Sequence, residues 1–253
     1  MIRMVLPLIL LIFVSSADLT AQQARFDQAN NFLNQQRYDL ALEQYKEIKQ
    51  DGYVSGALFM NTGIAYIYLD SLGMAKYYFL KAQRFKETEA IATDGLAFLE
   101  TRFSRRSAVL PPLPWQTFLN NVSEQFGYTA LIVFSLILVN IAVGILVLSW
   151  YGSRSIPHKK WIVLSLISVA VLIIILALIV RYQDARFDKA VMTDRQANVF
   201  ERPDQNSPVI SISYEGYLMT VDHKQSRNGD NWQYVRLANG MYGWIESHHI
   251  KTL

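Results

Sequence analysis

Chemistry in a protein usually rests on histidine, cysteine, an activated hydroxyl or paired carboxylates, and this chain offers few of them in useful arrangements. Its four histidines are His158, His223, His248 and His249, and cysteine is absent. None of the histidines stands at the spacing of a zinc site or of a nucleophile and its base. His248 and His249 are neighbours, and on a strand neighbouring side chains point to opposite faces, which does not suit a chelate. A Gly-rich loop followed by Lys, a Gly-x-Ser-x-Gly elbow and an isolated carboxylate pair are all missing from the sequence. The sequence therefore points to no catalytic residue, no metal ligand and no cofactor, and to a protein that is not an enzyme. Without cysteine there is also no disulfide framework.

What remains is a set of aromatic, aliphatic and amide side chains at helical spacing, which suit recognition of another protein. Phe26, Asn30, Leu33 and Asn34 form one group, and Met60, Asn61, Ile64, Ile67 and Tyr68 form a second. The elements that must hold them announce themselves by an echo: Ala29, Gly63 and Ala97 stand at 34-residue intervals, and Ala41 and Ala75 repeat the interval. Small residues are needed where paired helices cross closely, and the period is that of the tetratricopeptide repeat, TPR. Residues 22–107 resemble that family, with core positions at Phe32, Tyr38, Ala41, Tyr45 and Ile48, then at Phe59, Gly63, Tyr66, Leu72, Ala75, Phe79 and Ala82. A further helix from Thr88 to Phe103, with Leu96 and Ala97 in register, is expected to cap the two repeats, because Pro111, Pro112 and Pro114 stop any partner helix. The resemblance implies a concave groove lined by the two groups of side chains. Asn30 and Asn61 match positions of TPRs that clamp a carboxylate, but Phe26, Ile91 and Gly95 stand where such clamps need cations. An apolar or aromatic peptide or helix is the better fit.

The chain is 51% hydrophobic over 253 residues, more than an ordinary soluble protein carries. Residues 128–150 and 161–180 are almost continuously apolar, and each reaches the roughly 20 residues that cross about 30 Å of hydrocarbon. The loop between them, 151–160, carries Arg154, Lys159 and Lys160 and no acid, which places it in the cytoplasm by the positive-inside rule. Trp150, Trp161, Tyr128 and Tyr182 fall at the interfaces, and Asn140 near the midplane is expected to hydrogen-bond Ser168 across the hairpin. Residues 1–21 have the plan of a secretory signal, with cleavage near Ala17 or Ala21. Both flanking domains would then be periplasmic, at a bacterial inner membrane. Residues 108–127 join a Pro-rich linker to an amphipathic segment bearing Trp115, Phe118, Leu119, Val122 and Phe126, which either lies on the membrane surface or packs under the repeats. The net charge of +3 is spread among nearly as many acids as bases, so nucleic acid is not an expected partner.

From about Ala190, after a short linker that starts at 181, the pattern turns to short β-rich runs: Ala197 to Phe200, Val209 to Ser213, Tyr217 to Asp222, Trp232 to Leu237 and Tyr242 to Glu246. Asn228-Gly229 and Asn239-Gly240 suit tight hairpins. Val199, Pro203, Ser207-Pro208-Val209-Ile210, Gly216, Val221, Trp232, Val235, Gly240, Gly243-Trp244-Ile245 and Ile250 resemble the bacterial SH3 (SH3b) family, so an all-β SH3-like barrel is expected over 181–253. Related domains bind peptides or cell-wall peptides, which the resemblance extends to an aromatic groove at Tyr214, Tyr217, Trp232, Tyr234, Tyr242 and Trp244, with alternate ones filling the core.

The order of signal segment, all-α TPR repeats, two-helix transmembrane hairpin and SH3b barrel resembles the BatE-like TPR proteins of the Bacteroides aerotolerance (Bat) operon. That resemblance implies a non-enzymatic scaffold in an envelope complex with von Willebrand A-domain membrane proteins and an AAA ATPase, acting in aerotolerance or stress response. The alternative is a sensor or tether that binds peptidoglycan peptides through the barrel.

Overall fold

Backbone geometry carries the sequence echo into three dimensions. A computed structural model describes residues 21–105, 107–151, 157–226 and 231–253. Residues 1–20 of the signal segment, Arg154 of the loop and the Asn228-Gly229 turn lie outside the described residues. The chain divides into two units, one holding the N-terminal helices and nearly all of the C-terminal sheet, the other holding residues 109–188 and 222–224.

The first unit begins with α1 (residues 21–34), α2 (Tyr38–Gln50), α3 (Gly56–Tyr68), α4 (Leu72–Ala82) and α5 (Glu89–Arg102). α1 ends with the Arg37 N–H bonded to the Phe32 carbonyl at 2.9 Å and the Gln36 N–H to Leu33 at 3.0 Å. At the end of α3, Ser71 bonds to Tyr66 at 3.0 Å and Asp70 to Ile67 at 3.1 Å. These are one and the same helix-ending motif, displaced by 34 residues, with Gln36 and Asp70 both at positive φ. Ala29, Ala41 and Ala75 are entirely buried. Gly63 is held to glycine by contact, because a Cβ there would stand 2.5 Å from the Phe79 ring.

The register changes at α5. Ala97, expected in the seam, is exposed, while Ala92 and Leu99 are entirely buried and Gly95 lies against Phe79. The α2–α3 turn uses Gly52 at positive φ, whereas α4 runs into tight bonds from Arg84 to Lys81 and from Phe85 to Ala82. A different turn delivers the next helix in a different rotation, and a constant period does not survive it.

An antiparallel sheet completes this unit: β1 (Phe187–Met192), β2 (Gln196–Phe200), β3 (Val209–Tyr214), β4 (Leu218–Asp222), β5 (Trp232–Leu237), β6 (Tyr242–Glu246) and β7 (Ile250–Thr252), in the order β3-β2-β6-β5-β4-β1-β7. β1 and β7 are additional to the five strands expected from alternation. The buried face is aliphatic, with Val199, Val221, Val235 and Ile245 fully enclosed. Helices and sheet share one interior: Val191 belongs to the helical core, and Gly73 of α4 meets the Met192 carbonyl where a Cβ would stand 2.5 Å away. Lys76, nearly buried, donates to Glu100 at 2.6 Å and to the Gly216 carbonyl at 2.8 Å, and Phe103 lies against Gly216.

The second unit consists of α6 (Pro114–Gln125), α7 (Gly127–Tyr151) and α8 (Lys159–Arg186), with residues 222–224 against the end of α8. At 25 and 28 residues, α7 and α8 are long and apolar enough to cross a membrane. They pack along a seam of small residues at heptad spacing, Ser135 and Ala142 on α7 against Val163, Ala170 and Ala177 on α8. The Ser135 hydroxyl donates to the Ala170 carbonyl at 3.0 Å. Asn140 does not reach Ser168: it faces away from the seam, exposed, and donates to Leu136 of its own helix at 2.8 Å. Five residues separate it from Ser135, about 140° around a helix, which turns it from the partner. α6 binds the end of α8 through its polar side, where Asn120 accepts from Gln183 Nε2 at 3.1 Å and Ser123 donates to Asp184 at 2.9 Å, leaving Trp115, Phe118 and Phe126 exposed.

Candidate functional site

Between α3 and α5 lies an apolar groove of about 630 Å³. Met60, Ile64, Ile67 and Tyr68 come from α3, and Ile91, Asp94, Gly95, Phe98 and Arg102 from α5, with Phe79 of α4 between them. The α3 residues recur at i, i+4, i+7 and i+8, so one face of a regular helix presents them all. On α5, Ile91, Gly95, Phe98 and Arg102 recur at i, i+4, i+7 and i+11 and share a face centred about 80° around the helix from the buried Ala92 and Leu99. Tyr68 is 63% exposed yet fixed, its ring stacked on Tyr38 at 4.5 Å and 2°. Exposed apolar walls with Asp70, Asp94 and Arg102 at their margins suit an amphipathic segment with a few charged side chains.

Of the nine groove residues expected from the sequence, Met60, Ile64, Ile67 and Tyr68 meet in this cavity. Phe26 and Leu33 instead pack partly buried against the α1–α2 core, Phe26 against Tyr45 at 6.0 Å. Asn30 accepts from the Tyr45 hydroxyl at 2.7 Å and from Asn61 Nδ2 at 2.8 Å, so the two amides join α1 to α3. Burial pushes the Tyr45 phenol up to about 12, keeping it a neutral donor in that bond. Asn34 is exposed. Asp94, Phe98 and Arg102 had no place in the sequence reading. Their signal was the i, i+4, i+8 row of α5, hidden by aligning that helix on Ala97.

On the sheet, the six aromatics expected to form a groove fall into separate sets, and the core is aliphatic, with only Tyr217 packing partly against it. Tyr234 stands beside Tyr242 at 6.1 Å and Trp244 at 5.2 Å, on the outer face of β5 and β6. Trp232 meets Phe200 edge-on at 5.5 Å. Tyr214 and Tyr217 form another pair at 5.7 Å, covered by the Arg105 guanidinium 4.4 Å from the Tyr214 ring. Nearby, Glu215 accepts from the Gly73 N–H at 2.7 Å; burial raises its carboxyl above the ordinary range, and that bond opposes the rise.

A second cavity, polar and about 420 Å³, is lined by Gln196, Ala197, Asn198, Phe200, Gln205, Glu246 and His249. Beside it the histidine pair departs from expectation. His248 and His249 lie in a 3-10 turn, Ser247–His249, not on a strand, and their rings are 3.8 Å apart instead of on opposite faces. His249 Nδ1 lies 2.6 Å from Asp194 Oδ2, and His248 Nδ1 lies 3.3 Å from Glu246 Oε2. No protein-family model, curated protein or solved structure matches the chain.

Proposed function

We propose that this chain is a non-enzymatic membrane scaffold whose α3–α5 groove holds an apolar segment of a protein partner. The observation that carries the reading is the 630 Å³ groove, where Met60, Ile64, Ile67, Tyr68 and Phe98 form an apolar surface on two rigid helices. In this reading the helices are a short TPR array, the sheet is an SH3b barrel, and α7 and α8 are a transmembrane hairpin in a bacterial inner membrane. The turn motif repeated at 34 residues supports the first of these assignments. The shared interior of helices and sheet supports one side of the membrane for both, since chain on opposite sides of a bilayer cannot share a core; that this side is the periplasm follows from the positive-inside reading of the loop. The Bat-type role, beside von Willebrand A-domain partners in aerotolerance or envelope stress, rests on resemblance of the sequence order.

A photo-crosslinking residue at Ile64 or Tyr68 in native membranes tests the groove. A discrete adduct that disappears with Met60→Glu supports the reading; adducts equal to those from an outer position such as Glu43 contradict it. The polar cavity lined by Phe200, which stands opposite Trp244 in the β2–β6 pairing, favours a second reading, a tether for peptidoglycan peptides. Co-sedimentation of the purified chain with sacculi, weakened by Trp244→Ala, would favour it over the scaffold.

A further inference from the structure

We infer that Asp194, His248 and His249 form a binding site for a divalent transition-metal ion. The site stands apart from the groove and from the two apolar helices. β1 and β7 pair with Met192 opposite Ile250, which brings Thr193 and Asp194, just past the end of β1, against the 3-10 turn Ser247–His249 that leads into β7. The turn is fixed from both sides of Thr193, whose N–H and hydroxyl donate to the His249 carbonyl at 2.9 and 3.0 Å. Each of the three side chains then brings a ligand atom within 4.8 Å of the other two.

Two imidazoles and a carboxylate are the donors that zinc, cobalt, nickel and copper take, whereas calcium and magnesium prefer oxygen alone. The direct contact between His249 Nδ1 and Asp194 Oδ2, 2.6 Å apart, is what an ion would replace. Ligands of one tetrahedral zinc, with bonds of about 2.0–2.1 Å, stand about 3.3 Å apart, so the contact needs to open by less than about 1 Å. The side chains have room for it, Asp194 being 46% and His248 63% exposed. Glu246 lies against His248 Nδ1, adding negative charge and an orienting acceptor of the kind that supports metal-bound histidine. Because His249 and Glu246 also line the polar cavity, positions on the ion that the protein does not fill are open to water or to an oxygen ligand.

The test is calorimetric titration of Zn²⁺ into the full chain, free of any histidine tag and stripped with EDTA, in detergent. One zinc per chain is expected, weakened at least about tenfold by His248→Ala and by His249→Ala, and unchanged by His223→Ala, whose ring pairs with Asp188 elsewhere. Asp194→Asn, which keeps an acceptor for His249 while removing the charge, should weaken binding in the same way and guards against a folding defect in the histidine variants. Cobalt in place of zinc should give a visible d–d absorption that is absent from the double histidine variant. Failure of zinc to bind, or equal affinity in the double variant and the parent, overturns the site.

Discussion

Glu215 and Lys76 show how single polar groups join a sheet to helices far away in sequence. The Glu215 carboxylate caps the buried Gly73 N–H, and Lys76 reaches across to the Gly216 carbonyl. Burial favours the protonated form of Glu215, so its contribution to stability is present in full below the ordinary glutamate value of about 4.3 and is lost as pH rises through its raised folded value. Glu215→Gln keeps the acceptor without the charge; its thermal midpoint should exceed that of the parent near neutral pH, with the difference shrinking as pH falls below about 4.3. Glu215→Ala should instead cost about 1–3 kcal/mol, because Gly73 is left with an unpaired buried N–H. Neither contact was legible in the sequence, which separates Gly73 from Glu215 by 142 residues and gives no sign that the two meet. The histidine pair was visible as residues, but its geometry followed from a 3-10 turn that no periodicity announces.

At the scale of elements, heptad-spaced small residues decide how the apolar helices pair. Ser135→Leu would drive a branched side chain into the α7–α8 seam and remove the bond to Ala170, whereas Asn140→Leu replaces a polar group outside the seam. Disulfide trapping between cysteines introduced at Ala142 and a facing α8 position should drop sharply in Ser135→Leu and persist in Asn140→Leu; equal trapping in both would remove the seam from the account. The apolar runs and the five expected strands could be read directly, since hydropathy and alternation are local properties. β1 escaped because it follows α8 without a break, Arg186 to Phe187, and a strand of six residues bearing Asp188 and Lys189 has no clean alternation. The α5 register escaped for a related reason: the chain turn before it, not the helix itself, sets which face is buried.

For the whole molecule, the consequential feature is that the early helices and the late strands share an interior although the two apolar helices intervene in sequence. A chain read module by module gives a helical domain, a hairpin and a barrel, and each module's residues favour that division. The union depends on side chains such as Val191, Phe103 and Lys76, which look like ordinary core or surface residues until the contact exists. If α7 and α8 cross a bilayer, that union requires the helices and the sheet to stand on one side of it and the loop near His158 on the other. The absence of cysteine makes this directly measurable with single introduced thiols. In intact spheroplasts, a membrane-impermeant maleimide should label Gln35→Cys and Lys251→Cys and spare His158→Cys until the membrane is opened. Labelling of only one of the two ends, or of His158→Cys in intact spheroplasts, would contradict the account.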